Sequence, residues 1–181
     1  MNGKKSKINI SKNTSRVALL GILSAQALAL SFIENFIPPI PGLPPGAKLG
    51  LANIVTMFTA STMGFTSALC VTIIKALFVG STRGVTAFFM SLAGGVLSTI
   101  VMCVLLQIKK NPFGILGVSV ACAITHNTGQ LIVATIISGT AMFASYAPFL
   151  LFFALVAGCI TGSILNVLMP ALERQSSFFR R

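Results

Sequence analysis

The strongest constraint on this chain is how few charged side chains it carries. Charged residues make up 8% of its 181 residues, whereas soluble domains carry about 25%. Aspartate is absent, and the only acids are Glu34 and Glu173. Because so few charges cannot cover the surface of a water-soluble fold, the sequence predicts an all-α integral membrane protein with several spans.

The basic residues are concentrated at the two ends of the chain. Of the 13 lysines and arginines, eight lie in the tails: Lys4, Lys5, Lys7, Lys12, Arg16, Arg174, Arg180 and Arg181. Basic residues that flank apolar runs are typical of membrane orientation and of contact with anionic lipid. We therefore interpret the net charge of +11 as a membrane feature and expect no nucleic-acid partner.

Apolar runs separated by proline, glycine and charged turns predict six transmembrane helices. The predicted spans are 16–37, 49–63, 65–79, 85–108, 115–137 and 147–169, with a loop at 80–84. One helix over 49–79 would be about 46 Å long and too long for a bilayer, so a turn at Gly64 is expected. Residues 1–15 and 171–181 are predicted to be basic tails around a membrane domain at 16–170. The first run is long and further spans follow it, so we interpret it as an uncleaved span and not a signal peptide.

The distribution of lysine and arginine predicts the orientation. Six spans place both termini on one side, which receives ten of these residues, while two or three fall on the other. This positive-inside bias predicts that both termini are cytoplasmic.

A proline-rich stretch, 34–53, follows the first span. It holds five of the eight prolines, so it cannot be helical throughout and is stiff. It also carries Glu34 and Lys48. A rigid, charged loop at one end of a nearly uncharged body is typical of a lid over a site.

The predicted topology places Glu34, Lys48, Lys75 and Arg83 toward the outer face. The helix dipole disfavours an acid such as Glu34 in the last turn of a span, so a cation is expected nearby. Lys75 either snorkels to the headgroups or faces an internal cavity. Arg83 is either a solvated loop residue or a group that grips an anion. Three cations against one acid favour an anionic ligand.

The fifth span carries the densest polar cluster, with His126, Asn127 and Gln130 near mid-membrane. His126 and Gln130 are four residues apart and share a helix face. Buried polar groups at this depth need partners, either from other helices or from a ligand. The cluster is therefore either an interhelical hydrogen-bond network or part of a binding site. Asn53, Thr56 and Gln26 are weaker candidates for the same site.

Small residues recur at four-residue spacing on two spans. Gly21, Ala25 and Ala29 form such a stripe on the first span, and Gly158 and Gly162 form one on the sixth. This spacing allows close helix approach. The first stripe serves either internal packing or the docking of a partner.

The proline loop running into KLGLANIVT, followed by short spans and a cationic third span, resembles the bacterial family named Gx transporter. That family is also labelled heptaprenyl diphosphate synthase component I. More distantly, the layout is similar to the substrate-binding S components of energy-coupling factor vitamin transporters. The resemblance implies six helices, a gating loop at 38–48 and a docking stripe at Gly21, Ala25 and Ala29. Its implied partners are a transmembrane coupling subunit and ATPases.

The synthase label meets a chemical obstacle in this sequence. Prenyl transfer between diphosphates uses aspartate-rich clusters that hold Mg²⁺, and this chain has no aspartate. It also has no P-loop sequence, and its four isolated cysteines and one histidine predict neither a metal site nor a disulfide. We expect no enzyme activity and no cofactor.

Three functions remain open on the sequence. The first is a binding subunit for uptake of a small anionic, vitamin- or isoprenoid-like molecule, with Glu34, Lys48, Asn53, Lys75, Arg83, His126, Asn127 and Gln130 as substrate-binding residues. The second is a non-catalytic accessory subunit of a prenyl diphosphate, quinone or electron-transfer complex. The third is a purely structural membrane partner.

Overall fold

The computed structural model describes residues 12–36, 50–108, 114–139 and 142–180, and the side chains in these ranges except those of 12, 142–146 and 171–180. Within these ranges the chain is helical and contains no strand. The helices are α1 (Lys12–Ile33), a short 3₁₀ helix (Glu34–Phe36), α2 (Asn53–Met63), α3 (Phe65–Arg83), α4 (Val85–Gln107), α5 (Gly114–Ser138) and α6 (Met142–Arg180).

Within the described ranges, five helical segments are long and apolar enough to cross a membrane. They are Asn13–Phe36, Phe65–Arg83, Val85–Gln107, Gly114–Ser138 and Ala147–Pro170. The predicted all-α, multi-pass architecture is therefore confirmed, but the count of six spans is not. The missing span is α2, because its 11 residues extend only about 16 Å.

The short helix α2 lies at the centre of the bundle. Seven consecutive residues, from Ile54 to Ala60, are buried, and α2 packs against α1, α3, α4 and α6. A helix that is apolar and buried on every side belongs to the interior of a bundle. The large apolar side chains that remain exposed lie mainly on the surrounding helices, as expected of surfaces that face lipid.

Two single-residue turns arrange α2, α3 and α4 as consecutive hairpins. The predicted turn at Gly64 is confirmed: its φ is 85° and it connects α2 directly to α3. Gly84, with a φ of 92°, connects α3 to α4 in the same way. Residues equally far before and after such a turn face each other, and Asn53 and Lys75 are each eleven positions from Gly64.

The predicted loop at 80–84 is wrong, because α3 continues to Arg83. The hydroxyl groups of Ser81 and Thr82 donate hydrogen bonds to carbonyls one turn earlier, each at 3.0 Å. Gly80 lies against Phe88 of α4, where a Cβ atom would come within 2.9 Å of the Phe88 Cβ. The glycine and hydroxyl residues that predicted a loop are thus used for close packing and helix-internal hydrogen bonds.

Two further boundaries differ from the sequence prediction. Helix α1 begins at Lys12 and so includes part of the predicted basic tail at 1–15. Helix α6 runs from Met142 to Arg180, which extends it beyond both ends of the predicted span 147–169. Both extensions are polar or mixed in sequence, so the apolar pattern that defined the spans did not reach them.

Glycines bring α4, α5 and α6 into backbone contact. A Cβ atom added to Gly129 of α5 would lie 2.8 Å from the Cα of Gly94 on α4. A Cβ atom added to Gly158 of α6 would lie 2.5 Å from the Cα of Val120 on α5, and one at Gly162 would lie 3.0 Å from the Cα of Leu116. The close approach predicted for the Gly158 and Gly162 pair is therefore confirmed.

Candidate functional site

A polar hollow, here called the first hollow, lies where α1 and α3 end and α2 and α4 begin. It contains about 370 Å³ of unfilled space, including space continuous with the surface. Its lining residues are Ser31, Glu34, Gly50, Ala52, Lys75, Val79, Arg83, Ala87, Met90, Ser91, His126 and Gln130. Five of the predicted site residues, distant in sequence, therefore meet at one place: Glu34, Lys75, Arg83, His126 and Gln130.

Lys75 is a buried cation inside the helical bundle. Its side chain is only 4% exposed, and its Nζ donates a hydrogen bond to Asn53 Oδ1 at 2.6 Å. It lies eight residues before the end of α3, about 12 Å along the helix axis. This burial favours the cavity interpretation of Lys75 over snorkelling.

Glu34 connects the end of α1 to the segment that begins α2. One of its carboxylate oxygens accepts a hydrogen bond from the backbone N–H of Leu51, and the side chain is 6% exposed. An anion just before a helix N-terminus is favoured by the helix dipole. Glu34 therefore has a structural role at the hollow in addition to its predicted contact with substrate.

Arg83 is the last residue of α3 and lines the mouth of the first hollow. It is exposed and interacts electrostatically with Glu34, as expected from the cation predicted near that acid. Among the described residues, the charged ones that line the hollow are thus two cations, Lys75 and Arg83, and one acid, Glu34. Their sum is one positive charge.

His126 and Gln130 form the wall contributed by α5. Both side chains are 4% exposed, and His126 Nε2 lies 3.0 Å from Gln130 Nε2. Among the residues that the structure describes, Gln130 Oε1 has no hydrogen-bond partner, and His126 Nδ1 has none within hydrogen-bond geometry, although the Gly94 backbone lies close to the ring. Buried polar atoms without partners are uncommon in folded proteins, so these two are available to a ligand or a water.

Glycine at position 94 allows this wall to form. A Cβ atom at position 94 would lie 2.6 Å from the carbonyl oxygen of His126 and 3.0 Å from the Nδ1 atom of the same residue. It would also lie 3.1 Å from Gln130 Cγ. Any side chain at 94 would therefore displace both polar residues. The contact between α4 and α5 and the shape of the hollow depend on the same residue.

Two of the remaining predicted site residues, Asn53 and Asn127, are described by the structure and are not in the lining of the first hollow. Asn127 is buried but is not among the lining residues. Asn53 reaches the hollow only through its hydrogen bond to Lys75, and lines a second hollow. Lys48 and the predicted gating loop at 38–48 lie outside the described residues. Gln26 is exposed on α1, which separates it from the site.

Sequence reasoning missed several small residues of the lining. Ser31 is three residues before Glu34 and therefore shares its helix face. Ser91 lies seven residues after Gly84, and Lys75 lies nine residues before Gly84. Because Gly84 is the turn between α3 and α4, these similar distances place Ser91 and Lys75 at a similar depth. Helical spacing and hairpin symmetry would have found both.

The predicted docking stripe faces away from the bundle. Gly21, Ala25 and Ala29 are all exposed, and a Cβ atom at Gly21 would meet nothing within 4 Å. Internal packing in the part of the chain described therefore does not account for this spacing. Docking of a partner remains a prediction.

Within the described ranges, no three His, Cys, Asp or Glu side chains are grouped so that they could hold a metal ion. The four cysteines are free. Cys103 and Cys122 are buried as expected, whereas Cys70 and Cys159 are exposed. The latter two lie on helices with lipid-facing surfaces, which is why an apolar sequence context did not mean burial.

These features define a multi-pass helical membrane protein with a net-positive hollow among its helices. Residues 23–168, well over half of the chain, match the family described as heptaprenyl diphosphate synthase component I. The chain belongs to that family, which confirms the resemblance found from its sequence. No curated protein and no solved structure matches it, and the likeness to S components is not confirmed.

Proposed function

We propose that this protein is a membrane-embedded binding subunit that takes up a small anionic molecule together with energy-supplying partners. The observation that carries the proposal is the buried Lys75 in a hollow whose described charged residues sum to one positive charge. The uptake role follows the family resemblance and the layout of the hollow.

The charge balance argues for an anion. A buried cation within a membrane domain is costly, and the cost falls when a charged partner compensates it. The chain contains only two acids, and the one at this hollow also holds the Leu51 N–H. A carboxylate or phosphate between Lys75 and Arg83 would balance the site.

The α5 wall would bind the polar part of such a ligand. His126 Nδ1 and Gln130 Oε1 provide one ring nitrogen and one amide oxygen without a described partner. The imidazole can donate or accept depending on its tautomer, whereas the amide oxygen accepts. A ligand with an acidic group and a neighbouring hydrogen-bond donor would satisfy both sides of the hollow.

Active uptake would need other subunits. The sequence has no P-loop, so ATP hydrolysis would come from separate ATPases through a transmembrane coupling subunit. The exposed stripe of Gly21, Ala25 and Ala29 on α1 supports a docking role, since small residues allow the close approach of another helix. Both tails are proposed to be cytoplasmic, with their basic residues at anionic lipid.

The experiment is a comparison of two lysine substitutions that remove the same charge. Small molecules retained by gently purified wild-type protein are identified by mass spectrometry, and their binding is measured. Lys75→Gln is expected to weaken binding at least tenfold, while Lys109→Gln, in the predicted cytoplasmic turn, is expected to leave it unchanged. Both variants should keep their helical circular dichroism. Equal affinity of Lys75→Gln and wild type would contradict the proposed site.

The family description supports a second candidate, a non-catalytic accessory subunit of a prenyl diphosphate synthase complex. Co-purified proteins distinguish the two. ATPases and a coupling subunit support uptake, whereas a soluble synthase supports the accessory role. Substitution of Gly21 with Leu should reduce capture of a coupling subunit and leave the fold intact, because position 21 has open space around it.

A further inference from the structure

A second hollow lies deeper between α2, α4, α5 and α6. It contains about 320 Å³ of unfilled space, including space continuous with the surface. Ile54, Met57, Met102, Cys122 and Ala123 form its apolar lining. Met57, Met102 and Cys122 are each at most 4% exposed. Methionine side chains are flexible and polarisable, and they adapt to apolar groups of varied shape.

The polar side chains of the second hollow have partners within the protein. Ser119 Oγ donates to Met57 Sδ at 3.4 Å, and Thr161 Oγ1 donates to the carbonyl of Ala157 at 2.8 Å. Asn53 Oδ1 accepts from Lys75 Nζ. None of the lining residues that the structure describes is charged. The second hollow is therefore chemically suited to an apolar group.

The two hollows adjoin each other. Gly50 lines both. Lys75 lines the first and Asn53 the second, and the 2.6 Å hydrogen bond between them spans the boundary. A ligand that extends past this pair would have its charged end at Lys75 and its other end among methionines.

We propose that the ligand is an anionic amphiphile, with its acidic head in the first hollow and a short apolar chain in the second. This inference rests on the proposed function, because it assumes that the first hollow binds an anion. It adds the second hollow as the region that selects for the apolar part. Small polar anions alone would then bind weakly, since they leave the second hollow unfilled.

The test uses n-alkyl phosphates and n-alkyl carboxylates of increasing length, with inorganic phosphate and acetate as the shortest members. Binding is measured to purified full-length protein in lipid nanodiscs, and empty nanodiscs correct for partition into lipid. Burial of one methylene group corresponds to about a fourfold gain in affinity. Wild-type affinity is therefore expected to rise by up to about that factor per carbon and then to level off.

Two substitutions change the size of the second hollow in opposite directions. Ala123→Leu should make the gain in affinity stop at a shorter alkyl chain, and it should leave the affinity for the shortest anion unchanged. Met57→Ala should make the gain in affinity continue to a longer alkyl chain. This second variant tests the inference even if Ala123→Leu fails to fold. Ala18→Leu, at an exposed position of α1 outside the docking stripe, is the matched control and should bind like wild type.

The outcomes separate this inference from the proposed function. If anions bind through Lys75 but affinity does not depend on chain length, the second hollow is not a ligand site and the amphiphile inference fails alone. The same holds if both pocket variants retain the wild-type length profile. If no phosphate or carboxylate of any length binds wild-type protein, the proposed anion-binding function fails as well.

Discussion

At the scale of single residues, glycine decides how closely the polar wall can form. Gly94 and Gly129 let the backbones of α4 and α5 touch, and His126 and Gln130 lie directly at this contact. The site thus depends on the lack of a side chain at positions 94 and 129 as well as on the polar residues themselves. Glycine in a helix interior ordinarily lowers helix stability relative to alanine. Close packing between α4 and α5 has to offset that loss of stability here.

Substitution of Gly129 with Ala is expected to destabilise the protein by roughly 1–3 kcal/mol, the usual range for overpacking. The added Cβ would lie 2.8 Å from the Cα of Gly94, and backbone on both sides limits relaxation. The free energy of unfolding can be measured by circular dichroism during SDS titration. Gly21→Ala is the control, since its Cβ meets nothing within 4 Å. Equal stability of the two variants would show that α4 and α5 are not in backbone contact.

At the scale of elements, the single-residue turns set the register of α2, α3 and α4. Gly64 places Asn53 opposite Lys75. Gly84 places Thr72 near Thr99, and the hydroxyl groups of these two threonines lie 3.0 Å apart. Each turn holds a glycine at positive φ with an extended ψ, a region of backbone conformation that other residues rarely adopt. A change at either turn would therefore alter pairings many residues away.

Gly64→Ala is expected to cost roughly 1–3 kcal/mol through backbone strain alone. Position 64 has no atom within 4 Å of an added Cβ, so crowding is not a factor, in contrast to Gly129. The same SDS titration measures the loss. Because the turn sets the Asn53–Lys75 pairing, ligand binding should weaken along with stability. Stability equal to that of Gly21→Ala would indicate that Gly64 is not held at positive φ.

At the scale of the whole molecule, the short helix α2 lets the first hollow extend into the bundle. Glu34 at the end of α1 and Arg83 at the end of α3 line the same mouth, so those two ends lie on one side. With α3 long enough to cross the membrane, Gly64 belongs to the other side. A helix of full length in place of α2 would fill the space that Lys75 and His126 now line.

This arrangement predicts that both termini lie on the cytoplasmic side, although five segments of the part of the chain that the structure describes have the length of a span. The return crossing between α1 and α3 would contain α2. A green fluorescent protein fused after Arg181 should be fluorescent, and one fused ahead of Met1 should be too. Alkaline phosphatase inserted after Gly139, at the end of α5, should be active, because that turn is predicted to lie outside. Phosphatase activity of a C-terminal fusion would overturn this topology.

The amino-acid sequence determined the membrane class, five of the helices and the turn at Gly64, because these depend on local properties. Hydropathy over about 20 residues defines a span, and a glycine between two short apolar runs defines a hinge. The predicted loop at 80–84 failed because glycine, serine and threonine also serve helix packing inside membranes. The local pattern of such residues does not distinguish the two uses.

The tertiary structure alone decided which polar residues share a site. Lys75 and His126 are 51 positions apart, and they meet only because of two hairpin turns and the Gly94–Gly129 contact. The same geometry left Asn127 out of the hollow's lining, although it is adjacent to His126 in sequence, because one residue along a helix turns the side chain by about 100°. A sequence specifies which groups can carry a charge or a hydrogen bond, whereas the relative rotation and depth of packed helices determine which of them meet.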